Sequence, residues 1–582
     1  MPQREAAEEA CDVLVIGAGF VGLSVGAGVA SHSGLGERHR LRIIEQGPEC
    51  GAFWRGGHEN LSLHSPHHRL PHDDGLALEY PMFKTKHEVR DYVTRYASAH
   101  GLGESLSFGE TVLEVEHRPQ DDAERPWRVR TDKREHRARR VVVATGLNRT
   151  PHVPSIPGSE LRDGRGGRAL RHSWDVWRCD EYAGERVLIV GSGNSSAELA
   201  VALHEAGAAS VDLLVDAPRH YVRRSSMARI FHLLPYVGLS TEGMVHELHR
   251  CTFGTDVVYD PRHKTAWARF QASQDDLIQF LSVDLSKHGI RKPPSWNAKT
   301  PYAPRIPVYD VDDRPPAAGD GEHAGTRSTG KGVIDLILSG DVGVRVGRLC
   351  RFTSSGVVIE DGKSRHTGAD GANVTTARGV GGPTKPTAAS PVSTSSPSDE
   401  ETHIAYDSVI LATGFRHRMH EFITEANELL LTHPPPQSHA SPTRSAVARA
   451  VGSGADGEPR IDASSRSTVI PSIYFVGMDQ FKSTLSIGPV LGYRGYDVGA
   501  SIAAELYGAP PNQKRWPALP DDEQGDDKPL ISAKHAFGVV GGGMAISVIG
   551  SIVSSALRRR PPPPGASART LVSVGRKVTW RK

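Results

Sequence analysis

Short apolar runs recur along the chain, each followed by a segment long enough for a helix. Asp12–Ile16, Arg42–Glu45, Val141–Ala144, Arg186–Val190, Val211–Val215, Ser408–Ala412 and Ser472–Val476 are all of this kind. A run that is apolar without alternation belongs to a strand covered on both faces, so the pattern predicts parallel sheets in an α/β protein. Other stretches carry almost no apolar side chains. Residues 312–332, 364–402 and 433–468 are rich in Gly, Pro, Ser, Thr and Asp, and 364–402 holds no Leu, Ile, Met or aromatic residue. They lack the surface needed to offset ordering entropy and are predicted to be disordered insertions, with 509–535 as a linker.

Two of the strands run into glycine-rich turns that open helices. The first turn is Gly17-Ala18-Gly19-Phe20-Val21-Gly22, and the acidic Glu45 closes the next strand 23 residues later. Gly17 permits the tight turn, Gly19 lets the backbone approach a pyrophosphate, and Gly22 lets helix pack on strand. The helix N-terminus offers N–H groups to the phosphates, and Glu45 would accept hydrogen bonds from ribose hydroxyls. The second turn is Gly191-Ser192-Gly193-Asn194-Ser195-Ser196, with Ser196 in place of the third glycine. Asn194, Ser195 and Ser196 add polar donors at the helix start. The following strand ends at Asp216, suited to a 2′-hydroxyl, while Arg219, Arg223 and Arg224 just beyond suit a 2′-phosphate. Two cradles imply two dinucleotides.

With these cradles, further segments resemble the flavin-containing monooxygenase superfamily, particularly its YUCCA-type members. Phe53-Trp54 resembles a family turn ending in Trp near the flavin. Leu61–Pro66 resembles LxLHxP, and Tyr80-Pro81 with Lys84–Ala97 resembles YP…TKxxFxxYLxxYA. Ala144-Thr145-Gly146 resembles the first ATG crossover and Asp407–Phe415 the second, DxxxLATGY/F; Tyr474–Asp479 looks like the closing flavin strand. The fingerprint FxGxxxHxxxY is altered: His172 stands at the His position, but Gly166, Arg168 and Val176 replace Phe, Gly and Tyr.

The resemblance implies two Rossmann-like dinucleotide-binding domains, with the NAD(P) domain inserted into the FAD domain. The FAD domain would comprise 11–165 and 404–508, and the NAD(P) domain 166–403. It further implies a monooxygenase that consumes NAD(P)H and delivers one oxygen atom from O2 to a small organic substrate through a C4a-hydroperoxyflavin. FAD is expected as one cofactor and NADPH as the other, with NADH open because of Asp216. His64 is the candidate catalytic hydrogen-bond donor. Trp54, Thr145, Gly146, Thr413, Gly414, Gly477 and Asp479 are expected to line the cofactors. The alternatives are a flavin reductase or oxidase without oxygenation, a Baeyer–Villiger enzyme, or a non-catalytic membrane-associated flavoprotein.

Composition sharpens the picture. None of the five Cys forms a CxxC pair, which excludes a zinc ribbon and a redox dithiol. His67, His68 and His72 read as a His-rich solvated loop, and no metal site is expected. The net charge of +2 excludes a globally basic nucleic-acid binder. That balance is uneven, however. Residues 558–582 hold eight Lys or Arg and no acid, leaving −6 on residues 1–557. Before them, 536–557 carries no charge and would reach about 33 Å as a helix. This predicts a membrane helix followed by a basic tail. The N-terminus, MPQREAAEEA, reads as no secretory signal. A cytoplasmic protein is expected, with C-terminal attachment to an intracellular membrane.

Overall fold

The structure, a computed structural model, describes residues 8–31, 40–64, 68–162, 170–226, 278–294, 307–312, 330–361, 401–423, 431–432, 458–459, 461, 465–477 and 488–508. They form two Rossmann-like α/β units. The first sheet is built on β1 (Glu8–Ile16), whose residues Cys11–Ile16 are all buried. Beside it lie β2 (Leu41–Glu45), β3 (Leu106–Phe108), β4 (Val112–His117), β5 (Trp127–Thr131) and β6 (Glu135–Val143), in the order β3-β2-β1-β6-β5-β4.

Strand β6 has two characters. Its first half alternates buried and half-buried residues and pairs antiparallel with β5, Trp127 opposite Ala138. Its last three residues, Val141–Val143, are all buried and pair in parallel with a strand from far along the chain, Ile473–Phe475.

The second unit carries β7 (Leu170–His172), β8 (Arg186–Val190), β9 (Ser210–Val215), the short β10 (Tyr221–Arg223) and β11 (Val308–Asp310), β12 (Val342–Phe352), β13 (Gly356–Asp361), β14 (Glu401–Ala405) and β15 (Ser408–Leu411). Its main sheet runs β14-β13-β12-β9-β8-β15-β7, while β10 and β11 pair with each other. The first sheet is completed by β16, the Ile473–Phe475 strand.

Helices explain the apolar faces. Helix α1 (Phe20–Ala30) follows β1 and packs against the last helix, numbered α5 (Gly488–Tyr507). The approach is backbone to backbone: a Cβ on Gly28 would stand 2.2 Å from the Tyr496 carbonyl oxygen, and one on Gly499 2.1 Å from that of Val25. Helix α2 (Lys86–Ala99) starts at a capping box in which Thr85 and Glu88 exchange hydrogen bonds. In the second unit, α3 (Asn194–Glu205) and α4 (Val333–Ser339) bury Leu199, Val201, Leu203, Ile334 and Ile337 against the sheet.

The insertions are narrower than their composition predicts. Glu401 and Thr402 belong to β14, where Thr402 pairs with Ile359. An edge strand needs backbone partners more than buried side chains, so polarity misled there. Within 433–468, Ser465 is fully buried: its hydroxyl accepts from Arg494 Nε at 2.7 Å, and its carbonyl accepts from the Phe475 N–H. Gly332, inside 312–332, precedes α4. Most of 312–332, 364–402 and 433–468, and all of the 509–535 linker, lie outside the described residues. So do the predicted membrane helix 536–557 and the basic tail. Among the described residues, no helix is long and apolar enough to cross a membrane.

Candidate functional site: two cradles and their junction

Each cradle begins where its strand ends, and the two are built alike. Gly17 has φ +108° and Gly191 φ +130°, backbone that favours glycine. A Cβ on Gly17 would lie 2.7 Å from the carbonyl oxygen of Ala144, and one on Gly191 2.5 Å from that of Ala412. The alanine of each ATG crossover therefore backs the first glycine of its cradle. Gly22 is equally constrained, since its Cβ would fall 1.8 Å from the Gly17 carbonyl oxygen. Ser196 stands at the corresponding place in the second cradle and is fully buried.

The remaining glycines look outward. A Cβ on Gly19, Gly146, Gly193 or Gly414 would meet no atom within 4 Å. Gly19 and Gly193 are the N-caps of α1 and α3, and neither helix start has a side-chain cap. The free N–H groups of a first turn need a partner, and a phosphate satisfies them. The buried Thr145 Oγ1 has no hydrogen-bond partner among the described residues. Open second glycines, uncapped helix starts and this orphaned hydroxyl fit a dinucleotide at each cradle.

Supporting side chains fix the first cradle. Glu45 accepts from the Ala18 N–H at 2.9 Å and from the Gly47 N–H at 2.8 Å. Trp54 meets Phe20 edge to face at 6.2 Å, and Phe20 meets His68 at 4.4 Å. Gly477, at the end of β16, would place a Cβ 3.1 Å from Val21. Asp479 and His67 lie outside the described residues.

In the second cradle, Asn194 faces sideways. Its Oδ1 accepts from the Tyr309 N–H at 2.7 Å and its Nδ2 donates to the Pro307 carbonyl at 3.3 Å. Asn194 thus pins β11 beside the cradle. Ser195 and Asp216 are exposed, and Arg219 Nε donates to Ser192 Oγ at 3.2 Å. The Thr413 hydroxyl donates to the His152 carbonyl.

The units meet at segment Ser62–His64, and three side chains of the second unit converge on it. Arg224, fully buried, donates to Ser62 Oγ at 2.7 Å and to the Leu63 carbonyl at 3.0 Å, with its guanidinium 4.2 Å from the Phe83 ring centre. Arg224 thus serves this junction. Tyr309 lies along the His64 ring at 5.8 Å. Glu198, one turn into α3 and 1% exposed, puts one carboxylate oxygen 3.1 Å from His64 Nε2 and the other 3.1 Å from His58 Nε2. Both contacts are ones of charge distance, without an aligned hydrogen bond.

Aromatic residues close the same boundary. Phe53 stacks on Trp174 at 4.2 Å, and Trp174 meets Phe415 at 5.4 Å. His172 Nδ1 accepts from the Trp174 N–H, and Nε2 lies 3.0 Å from the Gly414 carbonyl oxygen. These partners assign the His172 hydrogen to Nε2. Burial holds its pKa below the ordinary value, against the pull of the Gly414 carbonyl. Beneath Tyr309, burial and the neighbouring Asp312 push the Asp310 carboxyl up to about 7, opposed by the Val333 and Ile334 N–H groups.

Sequence reasoning missed Glu198, His58, Tyr309 and Trp174. One signal was present for the first: Glu198 is the lone charge in the run Ala197–Leu203, otherwise wholly apolar.

No group of His, Cys, Asp and Glu among the described residues could hold a metal ion. Cys11 and Cys50 are buried, and burial pushes their thiols up to about 12 and about 11. Neither is a ready nucleophile.

Residues 14–250 match the pyridine nucleotide-disulphide oxidoreductase family model. The indole-3-pyruvate monooxygenase YUCCA1 of Oryza sativa subsp. japonica is 27% identical over 430 residues, covering 72% of this chain and 79% of that protein. The N-oxide-forming dimethylaniline monooxygenase 4 of Mus musculus is 34% identical over 136 residues, covering 22% of this chain and 24% of that one. An open crystal structure of cyclohexanone monooxygenase aligns at TM-score 0.49 and 17% identity, covering 86% of this chain and 89% of that chain.

Proposed function

Because this chain is an enzyme of the flavin-containing monooxygenase type, we propose that it binds FAD at Gly17–Gly22 and NAD(P)H at Gly191–Ser196. It would use O2 to insert one oxygen atom into a small organic substrate. The doubled cradle supports this reading most directly: two sheets, each with an outward-facing second glycine and an outward-facing crossover glycine. When bound, the flavin supplies hydride acceptance and oxygen activation, chemistry that no side chain here can supply.

The chain's own residues hold, orient and shield. The α1 and α3 N-termini bind pyrophosphates, and Glu45 keeps the first cradle shut around its turn. Gly146 and Gly414 allow close approach of the cofactors. Phe53, Trp174 and Phe415 exclude water from the junction, which oxygen transfer requires. His64 presents a ring nitrogen beside the flavin-side segment and is the candidate donor. With Arg224 engaged at Ser62 and Leu63, Arg219 is left to meet a 2′-phosphate, opposed by Asp216.

The deciding experiment is anaerobic reduction of the purified flavoprotein with NADPH or NADH, followed by mixing with 18O2 and substrate candidates. One 18O atom per product molecule is expected. Hydrogen peroxide equal to the NAD(P)H consumed would favour the oxidase reading, which the altered fingerprint around His172 favours. The charge-free run 536–557 and its basic tail predict membrane attachment. Deleting 536–582 would release the protein from the membrane pellet, and equal partition of both forms would dismiss the anchor.

A further inference from the structure

The junction contains an arrangement that cofactor binding does not require. A carboxylate 1% exposed to solvent is costly to bury unless cations or donors face it. Glu198 faces two imidazoles at 3.1 Å, both drawn from the first unit, while its own helix carries the second cradle. It stands four residues beyond Asn194, which fixes β11 and so the Tyr309 ring lying along His64. His64 is held from three directions: Glu198 at Nε2, Tyr309 along its face, and Arg224 on the two residues before it.

We infer that Glu198 is the positioning residue for His64, fixing its ring orientation and placing the ring hydrogen on Nε2. A nitrogen lone pair facing a carboxylate oxygen at 3.1 Å is repelled, whereas an N–H is attracted. With the ring hydrogen drawn to Nε2 by the carboxylate charge, the neutral ring offers Nδ1 as an acceptor, so His64 donates towards a bound cofactor only once Nδ1 also carries a hydrogen. His58 Nε2 stands 3.1 Å from the other oxygen. The second unit thereby sets the state of a residue that the first unit presents. This inference rests on the monooxygenase reading for the use of His64, not for its geometry.

The test has two arms, both on the full-length FAD-loaded protein. In the first, 15N-histidine labelling reads the two ring nitrogens of His64, with the signal assigned by its loss in His64→Asn. The expected result is Nε2 protonated in the wild type and a changed pattern in Glu198→Gln, whose amide offers one acceptor and one donor to two rings. Glu198→Asp, which keeps the charge, should restore the wild-type pattern at least in part. His58→Asn should leave it in place. In the second arm, peroxide released per NAD(P)H oxidised should rise about 10-fold in Glu198→Gln, the scale of losing a support that orients a histidine.

An unprotonated Nε2 in the wild type, or identical His64 signals in the wild type and Glu198→Gln, would overturn the inference. So would unchanged coupling in a Glu198→Gln protein whose His64 signals do move. A wild type that yields only peroxide would instead count against the monooxygenase reading, and the nitrogen signals would still decide the role of Glu198.

Discussion

Nε2 of His172 lies 3.0 Å from the carbonyl oxygen of Gly414, a residue 242 positions away in sequence. The bond joins the edge strand of the second sheet to the turn at which the chain leaves that sheet. His172→Ala would remove one of two donors to the half-buried Gly414 carbonyl, the His152 N–H remaining at 2.8 Å, and leave the Trp174 N–H without its acceptor. Loss of about 1–3 kcal/mol of stability is expected, together with weaker NAD(P)H binding. Denaturant melts and coenzyme titration check both.

The two first glycines should separate the two cofactors. Gly17→Ala forces a Cβ against the Ala144 carbonyl and Gly191→Ala forces one against that of Ala412, each at a strained φ. Gly17→Ala should purify with little flavin. Gly191→Ala should keep its flavin but lose NAD(P)H affinity by about 10-fold or more, given a strain of roughly 1–3 kcal/mol. Flavin absorbance and stopped-flow reduction distinguish them. Loss of the same cofactor in both variants would contradict the assignment of cradles.

Coenzyme choice should turn on Asp216 and Arg219. Asp216→Ala removes a charge that repels a 2′-phosphate, so the ratio of NADPH to NADH efficiency should rise about 10-fold. Arg219→Ala should lower that ratio while sparing NADH. Reduction rates with each coenzyme provide the measurement.

Acid sensitivity should involve His220. Burial, and then the nearby Lys292, push its pKa down to about 4 from an ordinary 6.5. The unfolded chain therefore binds the extra proton first. The contribution to stability is complete above pH 6.5 and is lost as pH falls from there towards 4. His220→Gln can still bond Ser282 and should flatten the pH dependence of the melting temperature over that window. An unaltered slope would exclude His220 as its source.

What the sequence could reveal depended on how local the cause was. Strands such as Val187–Ile189 and Val409–Leu411 are buried on both faces, so each residue declares itself. The glycine spacings are equally local, because turn, helix start and phosphate approach all lie within six residues. Strand β4 mixes charged with apolar residues and is only partly buried, which hides it, and β14 is polar because an edge needs mainly backbone partners. The junction was the least legible. His58, His64, Glu198 and Tyr309 span about 250 positions, and nothing in the spacing of a lone buried Glu says which imidazoles will face it. Arg224 shows the same limit: its position after β9 suits a phosphate, but packing delivered it to Ser62 and Phe83.

The pairing of Val141–Val143 with Ile473–Phe475 also bears on synthesis. A ribosome adding 5–20 residues per second reaches the second partner roughly 20–70 s after the first. Throughout that interval the inner edge of β6 and the α5-binding face of α1 lack their covers, while the second unit can already form. The growing chain therefore spends its most aggregation-prone period with a finished domain in the middle and an unfinished one at its start. Chaperone demand should fall on the nascent N-terminal unit, and C-terminal truncation before residue 473 should cost solubility of the whole chain.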